Sequence, residues 1–229
     1  MRRILSRLKN LKERIKIRLR LEWRRFRLRR YGFSVIANNC WGAEVYKYFG
    51  LPFQTPFIGL FLYPDDFLNL LENWEQTDKS RIQVGYTSRY RQGPLPYPVG
   101  ILGEDIEVHF LHYKTAEEAE TKWKRRAVRL PASLKSQQVF VRFCDRDGAT
   151  AGHFERLARL SPHACIAYSV LPLPYSFVCQ GEAGPQEPGM VADGVTLFNR
   201  ELERGFDPAA WLNTGRPEKA YSGKKKALS

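Results

Sequence analysis

The chain has 229 residues and a formal net charge of +13, but residues 1–31 hold 14 Lys/Arg against two Glu, so that segment carries +12 and the other 198 residues only +1. A near-neutral domain lacks the basic patch that a nucleic-acid enzyme carries on its fold, so nucleic acid is not an expected partner. There is no run of eighteen apolar residues to cross a membrane and no apolar core of a secretory leader, and Cys40, Cys144, Cys165 and Cys179 match neither a zinc module nor a short disulfide framework, so free thiols in a reducing cytoplasm are expected.

Ile4, Leu8, Leu11, Ile15, Leu19, Trp23 and Phe26 recur at steps of three or four, with Leu5 at the edge. At 100° per residue they form one apolar stripe, while Ile17, Leu21 and Leu28 fall off it. No Pro or Gly interrupts the pattern before Gly32, which predicts a helix of about 27 residues, roughly 40 Å long. Arg and Lys fill most of the remaining surface. A basic amphipathic helix of this kind reads as an interfacial helix on an anionic membrane surface, through residues 1–31. It places the protein peripherally on the inner face of the cell membrane. The alternative is that the stripe packs on the domain itself or on another subunit.

Residues 32–212 predict a single α/β domain. Phe33–Ala37 reads as a buried strand, Asn38–Gly42 as a turn, and residues 43–49 as a short helix stopped by Gly50 and Pro52. Phe57–Leu62 reads as a second strand. Pro64, Asp65 and Asp66 open a helix with an apolar face of Phe67, Leu70, Leu71 and Trp74. Residues 81–87 are a third strand. After a loop with three prolines (93–98), Val99–Leu102 and Ile106–Leu111 read as a hairpin. Thr115 caps a helix that Pro131 ends. Val139–Phe143, a helix over 151–160, Ala164–Val170 and Phe177–Cys179 complete the alternation. The pattern predicts a three-layer α/β fold, with a mostly parallel mixed sheet covered by helices on both faces and preceded by the basic helix. Residues 213–229, with Lys224, Lys225 and Lys226, read as a flexible basic tail.

Three constellations can carry chemistry. Asn38-Asn39-Cys40-Trp41-Gly42 lies where a first strand meets a first helix, the place where α/β folds gather ligands. A helix N-terminus there lowers a thiol pKa, which makes Cys40 a candidate nucleophile for acyl transfer, with Asn38, Asn39 and Trp41 as binding groups. Its plainer reading is a turn with a small buried cysteine. Glu107 and His109 share one strand face, so Glu107 can orient His109 as a general base for Cys40, and His112 can turn towards the same site from the strand end. Each histidine has an alternative reading as a satisfied structural residue. Asp145-Arg-Asp147-Gly148-Ala-Thr150 follows an apolar strand. It resembles the opening motif of haloacid-dehalogenase-like phosphatases, yet their lysine and paired-aspartate motifs are missing downstream. Carboxylates in this D-x-D spacing also hold a divalent cation, Mg or Mn, on a nucleotide diphosphate in glycosyltransferases. The simpler reading has Asp145 capping the next helix and Asp147-Gly148 closing a turn. Arg125 and Arg126, in the basic run 122–126 beside an inward Trp123, are candidate phosphate or acidic-sugar ligands.

Taken together, Asn-Asn-Cys-Trp-Gly (38–42), Pro-Phe-Ile-Gly-Leu-Phe (56–61), Tyr-Pro-Val-Gly (97–100), His-Phe-Leu-His-Tyr (109–113), Lys-Trp-x-Arg-Arg (122–126) and Asp-Arg-Asp-Gly (145–148) resemble a bacterial domain-of-unknown-function family whose members are often labelled exopolysaccharide biosynthesis proteins. The resemblance covers roughly residues 33–180, with the arm and the tail outside it, and departs at Ala37 and Ala43, where Ser and Gly are expected. It implies a three-layer α/β fold and a surface-glycan context, without a mechanism or catalytic residues. The resulting expectation is a transferase of surface-polysaccharide assembly at the cytoplasmic membrane face, acting on a saccharide with a nucleotide-sugar or acyl donor. Acyl transfer goes with Cys40, and glycosyl or phosphoryl transfer with a metal on Asp145 and Asp147. The alternative is a non-catalytic binding or scaffold protein of the glycan machinery. Cofactor, donor and acceptor are not legible.

Overall fold

The computed structural model describes residues 2–29, 31–184 and 187–216. The arm is helix α1 (Arg2–Phe26), followed by β1 (Ser34–Ala37), α2 (Trp41–Phe49) and α3 (Pro64–Glu72). Next come β2 (Ile82–Gly85), β3 (Val99–Leu102), β4 (Ile106–His109) and α4 (Ala116–Ala127). The alternation resumes with β5 (Val139–Cys144), α5 (Ala151–Leu160), β6 (Ala164–Ser169) and β7 (Val178–Gln180). The chain closes with β8 (Ala183–Gly184), β9 (Glu187–Val191), α6 (Gly194–Glu203) and α7 (Pro208–Thr214).

A parallel sheet runs in the order β1-β5-β6-β7. Every residue of β1, β5 and β6 is buried, so the sheet needs cover on both faces. Val139, Val141 and Phe143 enter one apolar core with α3, α4 and α5, while Phe140 and Cys144 enter a second with α2, α6 and α7. This is the expected three-layer α/β arrangement. The antiparallel part is a separate sheet, β2-β3-β4, in which Ile101 pairs with Glu107 and Val99 with His109.

Residues 57–62 do not form the expected strand. Gly59 adopts φ +70, and the N–H of Ile58 turns back to Pro56 O, so the run breaks. What survives is a junction between the two sheets. Phe61 exchanges both backbone hydrogen bonds with His109, and the Leu62 N–H donates to Asn38 O at the end of β1. The Gly/Pro-rich stretch after Gln180 adds two helices to the domain, α6 and α7, which bury Leu197, Phe198, Trp211 and Leu212 in the second core. Helix α7 runs two residues past the expected domain end, and of the expected tail, residues 217–229 lie outside the described residues.

Candidate functional site

At the carboxyl end of the parallel sheet, the polar residues of the β1–α2 turn are spent on structure. Asn39 Oδ1 accepts the Trp41 N–H at 3.0 Å, tying down the start of α2, and its Nδ2 donates to Cys144 Sγ at 3.1 Å. Asn38 Nδ2 donates to Cys144 O at 3.4 Å. Cys40 occupies the N-cap position of α2 without making a side-chain cap. Its Sγ lies 3.7 Å from Leu60 O. Burial, the largest influence, pushes its thiol up to about 11, with Asp193 and Glu44 adding to the rise. The expected lowering by the helix N-terminus is outweighed, because a thiolate here loses more solvation than the helix end returns. Trp41 is no ligand platform. It is fully buried among Phe198, Phe206 and Trp211, and its Nε1 donates to Glu201 Oε2 at 2.9 Å.

Asp145 does not cap α5. Thr150 does, with the ring of His153 bonded back to it. Asp145 is a staple instead. Its Oδ2 accepts the Val170 N–H at 2.6 Å and its Oδ1 the Val191 N–H at 2.8 Å, joining the ends of β5, β6 and β9. Asp147 adopts φ +60 in the following turn and interacts electrostatically with Arg91 and Tyr97. Among the described residues no group of three or more His, Cys, Asp or Glu side chains is placed to hold a metal ion. With both Asp145 oxygens taken by amides, this pair does not fit a cation.

The second locus is built on the antiparallel sheet. One of its faces, with Ile82, Leu102, Ile106 and Val108, lies in the core. The period of two then turns Gln83, Ile101, Glu107 and His109 to the other face. That face floors an open groove of about 450 Å³ lined by Gln83, Thr87, Ser88, Arg89, Ile101 and Glu107 among others. Glu107 clamps the start of the β2–β3 connection to it, since its Oε2 accepts from Ser88 Oγ at 2.6 Å and its Oε1 from the Arg89 N–H at 2.7 Å. Arg89 in turn pairs with the buried Asp66, and its Nη2 donates to the Tyr90 hydroxyl at 3.1 Å.

His109 closes one end of this face. Its ring stacks on Phe61 at 4.6 Å, with Tyr63 at 5.2 Å, Tyr97 at 5.9 Å and Tyr90 at 6.3 Å around it. The expected neighbour is present, with Nε2 3.2 Å from Glu107 Oε2. That contact lacks hydrogen-bond alignment, and among the described residues neither ring nitrogen has a hydrogen-bond partner although the side chain is fully buried. Burial lowers the imidazole to about 4 and Glu107 only partly offsets this, so the ring is neutral at pH 7.

The structure therefore brings Glu107 and His109 together, while Cys40 has a different partner. The thiol meets the Leu60 carbonyl, while the imidazole stacks on the neighbouring Phe61. His112 stays with Gly59, to whose O its N–H donates, and is exposed because β4 has already ended. Arg125 is exposed on α4. Arg126 is buried, donating to the Tyr113 hydroxyl at 3.0 Å with Phe53 beneath it, so it is held by the core. Sequence reasoning missed Tyr63, Tyr90, Tyr97, Arg89 and Arg91. The available signal was the density of Tyr and Arg in residues 86–97, a loop stiffened by prolines.

The family model described as "Domain of unknown function (DUF1919)" matches residues 10–213. The match takes in most of α1 and also α6 and α7, so the family extends beyond residues 33–180 at both ends. The chain is also similar to a protein of Haemophilus influenzae (strain ATCC 51907 / DSM 11121 / KW20 / Rd) described as "Uncharacterized protein", with 28% identity over 190 residues, 82% of this chain and 87% of that one.

Proposed function

The chain belongs to the DUF1919 family, and from that premise we propose that it is a saccharide transferase of surface-polysaccharide assembly, working at the cytoplasmic face of the membrane. The observation that carries this reading is the neutral, hydrogen-bond-free imidazole of His109, backed by a carboxylate and caged by three tyrosines. Tyrosine faces stack on sugar rings and their hydroxyls bond to sugar hydroxyls. Arg89 and Arg91 offer donors to the phosphates of a nucleotide-sugar donor. Tyr90 is 36% exposed and Tyr97 half-buried, so a sugar that displaces them uncovers the imidazole. His109 then takes the proton of the acceptor hydroxyl as that oxygen bonds to the donor's anomeric carbon. The bond from that carbon to the diphosphate breaks, so that the nucleoside diphosphate leaves held by Arg89 and Arg91, and Glu107 stabilises the imidazolium that forms. Polysaccharide assembly as the context rests on the motif resemblance in residues 33–180. Cys40 is not used, because its thiol stays protonated at neutral pH.

Binding without catalysis is the second reading, favoured by the complete burial of His109. Titration with nucleotide sugars and a labelled-sugar transfer assay separate the two. Loss of the base in His109→Gln should lower transfer by roughly 10²–10⁴-fold, while Tyr97→Ala should weaken binding. Transfer at the wild-type rate in His109→Gln sinks the catalytic reading. Wild-type binding in Tyr97→Ala removes the cage from it.

A further inference from the structure

The helical arm carries two apolar faces, and the domain uses only one of them. Leu21 is half-buried and Leu28 buried. Beside them Arg24 donates to Tyr48 O, and Arg25 to the carbonyls of Phe49 and Gly50, at the C-terminus of α2. There the helix dipole favours cations and the last carbonyls lack partners. Asn213 adds two hydrogen bonds to the chain just past α1, accepting from the Arg29 N–H and donating to Arg27 O. Of the residues that fell off the main stripe, Leu21 and Leu28 seat the arm, while Ile17 stays 54% exposed. The stripe lies roughly 150° around the helix and points away. Leu11 is 53% exposed, Ile15 50%, Leu19 60%, Trp23 58% and Phe26 85%.

We infer that the Leu11–Ile15–Leu19–Trp23–Phe26 face of α1 is a docking surface for an anionic lipid bilayer, which deepens the membrane location proposed above and is independent of the saccharide chemistry. Charge chooses the occupant. Arg14 and Arg18 flank one side of the stripe, Lys16 and Arg20 the other, and the arm as a whole carries +12. Such flanking cations reach headgroup phosphates while the stripe enters the acyl boundary. A second copy on the same face would bring together two arms of like charge. No helix among the described residues is long and apolar enough to cross a membrane, so the arm lies along the surface. Its seat is the C-terminal end of α2, while Cys40 and the His109 junction lie towards the other end, about 14 Å away along a nine-residue helix.

Trp23 reports on this directly, because Trp41, Trp74, Trp123 and Trp211 are each at most 1% exposed. The full-length protein is mixed with phosphatidylglycerol–phosphatidylcholine vesicles and with phosphatidylcholine vesicles alone. Co-sedimentation with the anionic vesicles, a blue shift of Trp23 emission and its quenching by brominated acyl chains are expected, all weakened by salt. Ile15→Glu with Leu19→Glu alters only exposed positions and keeps the reporter. It should lower vesicle partitioning at least about tenfold, with an unchanged circular dichroism spectrum and unchanged saccharide binding. Equal sedimentation of this variant and the wild type overturns the proposal, and so does unshifted Trp23 emission. A wild-type dimer that the variant converts to monomer without any vesicle binding overturns it in favour of a self-interface. His109→Gln should bind vesicles like the wild type, so failure of the transferase reading and failure of docking are told apart.

Discussion

At the scale of single residues, His109 and Cys40 show how burial sets chemistry. Both were candidates for the same reaction, and burial moves both towards their neutral forms, the imidazole down to about 4 and the thiol up to about 11. For the imidazole a neutral form is the useful one, since a base must arrive unprotonated. For the thiol it is the inert one. The histidine also makes stability depend on pH. Its folded value lies below the ordinary 6.5, so the unfolded chain takes up a proton first as pH falls. The stabilisation is complete above pH 6.5 and is lost between there and about 4. We expect the unfolding free energy of the wild type, measured in urea, to fall relative to His109→Gln from pH 7 to pH 5, by up to about 1.4 kcal/mol per pH unit. Glu201, raised to about 7, acts in the opposite direction over pH 4.5–7, but equally in both proteins. Parallel pH profiles for the two would show that His109 is not buried as a neutral base.

Among the elements, α6 decides what happens at the carboxyl end of the parallel sheet. Its N-terminus sits directly on the β1–α2 turn, and a Cβ added at Gly194 would meet the Trp41 backbone N at 2.4 Å and Asn39 Oδ1 at 2.9 Å. Val191 and Ala192, just before it, are buried. The crevice that α/β folds commonly leave open to ligands is here partly filled by the chain's own residues 191–194, and the open groove is displaced to the antiparallel sheet. The contacts at Gly194 are with backbone and a bonded amide, neither of which gives way easily. Gly194→Ala should therefore cost about 1–3 kcal/mol, measured by denaturant unfolding. A midpoint equal to wild type would mean that α6 is not seated on the turn.

For the molecule as a whole, closure depends on a buried charged pair that ties the parallel sheet to α6. Arg142 in the middle of β5 is fully buried, under Tyr168 at 4.0 Å and Trp41 at 5.0 Å. Its Nη2 lies 3.6 Å from Glu201 Oε1 on α6, while the other oxygen of Glu201 accepts the indole Nε1–H of Trp41. Removing the acid leaves a cation in an apolar core without its counter-charge. Above pH 7, where the Glu201 carboxyl is ionised, Glu201→Ala should therefore destabilise by about 3–5 kcal/mol, whereas replacing both partners with apolar residues of similar volume should cost much less. A double-mutant cycle in urea measures this, and additive single effects would show that the pair is not coupled.

What the sequence determined by itself was periodic. The step of three or four made the arm a helix, the step of two put Glu107 and His109 on one face, and alternation of strand and helix gave the three-layer α/β class. Local punctuation was legible too, as in the Thr115 cap and the Gly50 stop. Tertiary structure decided the rest. It broke residues 57–62 into a junction, turned Asp145 into a staple, and drew the tyrosines of a loop and of the α3 entrance around His109. It also chose which apolar face of the arm to bury, and buried the minor one. The physical reason is the same in each case. Periodicity states which side chains share a face, but burial and hydrogen bonding depend on what lies opposite that face, and here those partners come from residues far along the chain.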